Sequence, residues 1–180
     1  MERVERFLDL LSATSDRMNL TGPIEKNRLW PRHVLESVAY APCLDRSLPV
    51  TDVGTGAGFP GIILSMLGFT VTMVEPRSRR CGFLSTACRE LGLEAEVLNS
   101  RIESCKCRGR MGTQFTSRAV GKPMEMIGLV TKAASGDFIL VTRVSLDFST
   151  DCVPGMLTSL PSPPLDRGGF LLQYRHSADR

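Results

Sequence analysis

One hundred and eighty residues, 42% hydrophobic and 23% charged, are ordinary for one soluble globular domain and argue against a disordered chain. A net charge of +3 permits a nucleic-acid partner without demanding one. Six cysteines with no Cys-x-x-Cys pair and two distant histidines, His33 and His176, make a zinc site hard to build, so no metal is expected.

The elements follow in chain order. Val4, Phe7, Leu8 and Leu11 recur at helical spacing and predict an amphipathic helix over 2–13. Asn19-Leu20-Thr21-Gly22-Pro23 breaks the pattern. A second helix is predicted over 25–40, with Leu29, Val34, Leu35 and Val38 on its buried face. Together they form an N-terminal helical cap, residues 1–46, on a nucleotide-binding domain, 47–180. Strands then alternate with helices: strand 49–53, helix 60–67, strand 69–74, helix 78–91, strand 94–98, a helical turn at 101–105, strand 114–118, helix 122–134 and strand 137–142. Such alternation predicts an α/β fold with a parallel sheet and helices on both faces. Met156–Leu160 and Phe170–His176 predict an edge hairpin with a tight connection. Met1 is not followed by an apolar signal segment, and the apolar runs are too short to span a bilayer. A reducing cytoplasm without membrane attachment is expected.

The most informative stretch is Asp52-Val-Gly54-Thr-Gly56-Ala-Gly58-Phe59-Pro-Gly61, a glycine loop between a strand and a helix. Glu75 ends the next strand, where a carboxylate can accept hydrogen bonds from a ribose diol. Gly56, Gly58 and Gly61 also spell the dinucleotide fingerprint. Asp52 stands inside the turn, however, and would oppose a pyrophosphate. S-adenosyl-L-methionine carries a sulfonium and an ammonium and no phosphate, so it suits this loop better.

Asn19-Leu-Thr, Trp30-x-Arg32-His33-x-Leu35-x-Ser37, the glycine loop ending Gly-Phe-Pro-Gly, and Thr116-Ser-Arg118-Ala together resemble the bacterial small-subunit ribosomal RNA guanine-N7 methyltransferases, also called glucose-inhibited division protein B. The resemblance covers roughly residues 1–143. It implies a Rossmann-like, seven-stranded methyltransferase fold and methyl transfer from S-adenosyl-L-methionine to N7 of a guanine in 16S rRNA. By position it places Asp52, Gly54, Gly56, Gly58 and Phe59 at the cofactor, Glu75 at its ribose, and Ile102 and Glu103 beside its adenine. Arg118 would face both cofactor and base as the catalytic residue, and Arg32, His33 and Arg143 would meet the RNA. The partner would be 16S rRNA or the small ribosomal subunit, and the enzyme a monomer. Two departures stand out: Arg143 occupies a place where the resemblance leads one to expect Lys, and segment 144–165 is short and proline-rich.

The chemistry agrees by what is missing. Guanine N7 carries an exposed lone pair with no proton to remove, so positioning matters more than acid–base groups. Amino-directed methyltransferases carry a Pro-Pro-aromatic signature after the fourth strand, where this chain reads Ser117-Arg118-Ala119-Val120. Pro42-Cys43 precedes the first strand and reads as a helix-end turn, not a carbon-5 nucleophile. Arg77, Arg79, Arg80, Arg101, Lys106, Arg108, Arg110 and Lys122 lie near strand ends and can border one phosphate-binding rim. Trp30 reads as core or cap packing, and Asn19 as a structural residue bordering the site. Two other readings stay open: a small NAD-dependent oxidoreductase using the Gly56 register, and a non-catalytic RNA-binding protein that keeps the fold.

Overall fold

Short apolar runs separated by helices cannot pair as hairpins; they must cross over and pair in parallel. The computed structural model describes residues 1–18, 20, 26–105, 113–118, 121–149, 151, 153, 155–161, 164–165 and 168–178. In it β1 (Val50–Val53), β2 (Val71–Val74), β3 (Glu96–Leu98), β4 (Gln114–Ser117) and β5 (Phe138–Val144) are parallel. The edge strands β6 (Met156–Leu160) and β7 (Gly169–His176) pair with each other antiparallel, and β7 lies antiparallel to β5. The order is β3-β2-β1-β4-β5-β7-β6, a seven-stranded sheet. The hairpin forms with the expected strands, but its connection spans 161–168 and is not a tight turn.

β1, β2 and β4 are buried along their whole length, the mark of a parallel sheet covered on both faces. On one face Phe7 and Leu11 of α1 (Glu2–Met18) pack with Ile62, Ile63 and Leu64 of α4 (Gly61–Met66) and with Phe83 and Leu84 of α5 (Ser78–Leu91). On the other, Met126, Ile127 and Val130 of α6 (Pro123–Ala133) pack with Phe115, Phe138 and Leu140. Phe7 and Leu11 are 0% exposed. Burial at that level stabilises the fold by about 1.5–3 kcal/mol per side chain, so α1 belongs to the core. Gln114 fastens the approach to β1: its amide donates to the carbonyls of Asp45 (2.8 Å) and Leu48 (3.2 Å) and accepts from the Asp45 N–H (2.7 Å).

The second helical run departs from the expected geometry. α2 (Lys26–Leu29), a π-helical turn (Trp30–Val34) and α3 (Leu35–Val38) follow without a break. The Leu35 N–H reaches back to the Trp30 carbonyl, one residue further than in an α-helix. One extra residue turns everything after it by about 100°. Leu29 and Val34 are buried as expected, but Val38 is 40% exposed, while Glu36 (3%) and Ser37 (0%) point inward. Trp30 packs partly buried against the core.

Register explains what meets at the sheet's C-terminal end. Val53 is opposite Val74 on one side and Ser117 on the other. The next residues, Gly54, Glu75 and Arg118, therefore leave the sheet side by side. The chain order reverses here, between β1 and β4, where open parallel sheets bind ligands.

Candidate functional site

A cavity of about 670 Å³ opens at this edge. Gly54, Thr55, Gly56, Ala57 and Phe59 of the glycine loop line it, with Glu75, Arg77, Arg80, Arg101, Arg118 and His33. The Glu75 carboxylate accepts from the Gly56 N–H (3.1 Å) and the Arg77 N–H (2.9 Å), which fixes it at the cavity wall. Each oxygen keeps a further lone pair for a ligand hydroxyl. The Asn99 amide donates to the carbonyls of Glu75 (3.1 Å) and Pro76 (3.0 Å) and holds the turn beyond β2.

Arg118 is the most constrained cation on this wall. Its Nη2 donates to His33 Nδ1 at 2.7 Å. Arginine only donates, so His33 accepts there and carries its ring proton on Nε2. The guanidinium carbon lies 5.0 Å from the Phe59 ring centroid, and the His33 ring stacks on Phe59 at 4.9 Å. Arg118 Nη1 is 3.6 Å from Glu36 Oε1, with both side chains largely buried. Burial pulls the Arg118 guanidinium down from its ordinary value, and Glu36 opposes that shift. Glu36 Oε2 in turn accepts from Arg143 Nε at 2.7 Å, and Arg143 Nη2 donates to the Gly168 carbonyl at 3.0 Å. Below them the hydroxyl of the buried Tyr40 donates to the Ser117 carbonyl (3.0 Å). Burial drives its pKa far above the ordinary phenol range, so it stays protonated.

The structure sorts the residues expected from sequence. Gly54, Gly56, Phe59, Glu75, Arg118 and His33 meet at the cavity. Asp52 does not reach the wall. It is 1% exposed, and its oxygens accept from the Gly61 N–H (3.0 Å) and the Thr116 hydroxyl (2.9 Å). Its carboxylate pins the glycine loop to β4 from below. Gly61 permits this approach, because a Cβ there would stand 2.8 Å from Asp52 Oδ2. Gly58 also faces inward: at φ +100 its missing Cβ would lie 2.6 Å from Ile62 Cγ1 and 3.2 Å from Phe7 Cζ.

Ile102 is buried in the second core face and Glu103 is exposed; neither lines the cavity. Arg32 is half-buried off the wall, and Arg143 is held by Glu36 and Gly168 behind it. Of the expected rim, Arg77, Arg80, Arg101 and Arg118 line the cavity, whereas Arg79 and Lys122 do not. Asn19, Lys106, Cys107, Arg108, Arg110, Ala119, Val120 and Cys152 lie outside the described residues. Sequence reasoning missed Glu36 and Tyr40, and gave Thr116 no role beyond its place in the matched motif. Only the place of Glu36 beside the Arg32-His33 pair could have signalled it.

The architecture is that of the S-adenosylmethionine-dependent methyltransferases. A methyltransferase of that kind from Aquifex aeolicus superposes with a TM-score of 0.62 over 93% of this chain and 97% of its own, at 15% identity. The family profile described as GidB, rRNA small subunit methyltransferase G, matches residues 1–145, and the chain belongs to that family. Among curated relatives, ribosomal RNA small subunit methyltransferase G of Mycobacterium leprae (strain TN) is 42% identical over 120 residues, 64% of this chain and 49% of that protein. The Gluconobacter oxydans (strain 621H) protein of the same name is 41% identical over 104 residues, 57% and 54% respectively. The chain spans about half the length of these relatives. The oxidoreductase and non-catalytic readings are not favoured by this company. Among the described residues, no helix is long and apolar enough to cross a membrane.

Proposed function

We propose that this chain binds S-adenosylmethionine in the cavity and methylates N7 of a guanine in 16S rRNA. The observation that supports it best is the convergence of Glu75, the Gly54–Gly56 turn and Arg118 on one wall. Glu75 would hold the ribose hydroxyls, and the glycine turn gives the ligand close access to backbone. Bound there, S-adenosylmethionine supplies an electrophilic methyl group; the N7 lone pair forms the new N–C bond and sulfur keeps the electrons of the broken C–S bond. No proton leaves the base in that step, so the residues act by orientation. Phe59 and His33 fix the plane of the Arg118 guanidinium, and Arg118 orients the base. Arg77, Arg80 and Arg101 would neutralise RNA phosphates at the mouth. In this reading 1–46 and 47–180 act as one domain, the protein works as a cytoplasmic monomer, and its substrate is 16S rRNA or the small subunit.

Calorimetric titration with S-adenosylmethionine and, in parallel, NAD tests the cofactor. Micromolar binding of the methyl donor alone is expected; binding of NAD alone would overturn the proposal. Labelled methyl transfer to 16S rRNA lacking N7-methylguanosine, mapped by cleavage at the methylated base, tests the substrate.

A further inference from the structure

An arginine at this reaction centre presents a physical difficulty. The methyl donor carries a sulfonium and the product base becomes a cation, so an uncompensated guanidinium would repel both. Arg118 is too buried for water to screen it fully: its side chain is 13% exposed. It is not uncompensated, however. Glu36, a side chain 4% exposed, lies 3.6 Å from Arg118 and 2.7 Å from Arg143. Asp52 is the second buried carboxylate acting on Arg118. Glu36, with Asp52 acting in the same sense, thus offsets the positive charge that Arg118 and Arg143 bring to this wall.

Glu36 reaches this place only because the π-helical turn rotates α3 inward. A buried carboxylate is costly unless a fold gains something by holding it. Arg143 alone would satisfy one oxygen; the other faces Arg118.

We infer that Glu36 is the positioning residue of the site: it aims Arg118 and cancels its charge, leaving a directional hydrogen-bond donor where a free cation would oppose the reaction. The inference rests on the methyl-transfer reading above. It also gives Arg143 a role at one remove. Arg143 holds Glu36 and ties it to the Gly168 carbonyl just before β7 of the edge hairpin, without touching the cavity.

The test must separate this role from plain structural charge balance. Glu36→Gln leaves two guanidiniums facing a neutral amide and is expected to loosen the fold. The charge test is therefore Glu36→Gln under conditions where circular dichroism shows it folded, with the double Glu36→Gln/Arg143→Met, which removes one charge of each sign and keeps the net charge, beside it. Calorimetry would compare S-adenosylmethionine with S-adenosylhomocysteine, the neutral-sulfur product. In Glu36→Gln the uncancelled Arg118 should penalise only the cationic ligand, widening the ratio of their Kd values by about tenfold, the scale of one poorly screened charge, and the double variant should return that ratio to the parent's. In both variants, which lose the aim on Arg118, the rate of methyl transfer should fall about 100-fold, with KM for RNA little changed. Glu36→Asp should recover part of both. A folded Glu36→Gln variant with the parent's ligand ratio and the parent's rate would overturn the inference and leave the methyltransferase reading intact. A parent protein that binds neither ligand would overturn both.

Discussion

Asp52 separates two accounts of the glycine loop. As a cofactor contact, its loss should weaken ligand binding and spare the fold. As the buried pin seen here, its loss should do the reverse. Asp52→Ala strips the acceptor from the Gly61 N–H (3.0 Å) and the Thr116 hydroxyl (2.9 Å) in a site 1% exposed. Each orphaned group costs about 1–3 kcal/mol. Relief of a desolvated carboxylate offsets part of that, so a loss of about 3 kcal/mol is expected. Asp52→Asn keeps an oxygen for Gly61 and offers its amide to the Thr116 oxygen, so it should fall within about 1 kcal/mol of the parent. The two proteins should also diverge with pH. Burial raises the Asp52 carboxyl above its ordinary value, against the pull of its hydrogen bonds. A raised carboxyl favours folding fully below the unfolded value of about 3.9, and that contribution is lost as pH rises through the folded value. Asparagine does not titrate, so the variant should gain on the parent as pH rises above about 4 and lose the gain in acid. Urea denaturation followed by the single tryptophan, Trp30, reads both effects. An alanine variant as stable as the parent, with cofactor affinity down about 100-fold, would refute the pin.

Four further outcomes follow from the same geometry. Gly58→Ala combines a φ of +100 with a Cβ 2.6 Å from Ile62, and should cost about 2–5 kcal/mol in denaturant melts. Phe7→Ala empties a fully buried position 5.2 Å from the Phe59 ring centroid; calorimetric melting should show a loss of about 3–5 kcal/mol. Glu75→Ala removes the acceptor of two loop N–H groups and of the proposed ribose, so cofactor binding should weaken by about 1–3 kcal/mol in titration calorimetry. Arg118→Ala should cut methyl transfer about 100- to 1,000-fold while circular dichroism stays native, because Glu36 keeps Arg143 as its partner; near-normal turnover would remove Arg118 from the mechanism.

The alternation of apolar strands and helices was legible, and the helix over 78–91 and the strand over 156–160 came out at the bounds read from sequence. Arg118, Glu75 and the glycine loop were legible too, because each follows directly on a strand end. The direction in which Asp52 points was not. β1 is buried on both faces, so no polar–apolar alternation marks which side chains meet the sheet's neighbours and which meet a ligand. The inward turn of Glu36 was hidden for a different reason. A reading with 3.6-residue periodicity put Val38 inside, and one extra residue in the turn Trp30–Val34 exchanged it for Glu36 and Ser37. The hairpin connection escaped because its prolines signal a turn without fixing its length.

The same side chains that hold the N-terminal helices to the sheet also build the cavity wall. Phe7, from α1, packs on Phe59; Phe59 carries His33 and Arg118; and Glu36, three residues after His33, holds Arg118 from the other direction. The links from Phe7, His33 and Glu36 all cross from 1–46 to 47–180. A helical cap that only covered the domain could be loosened without moving the site. Here α1 and the π-helical turn supply rings against Phe59, and α3 supplies a charge against Arg118. Weakening the packing of α1 should therefore loosen the Phe59 ring first and the orientation of Arg118 with it, so core stability and methyl transfer should fall together in any variant of this seam.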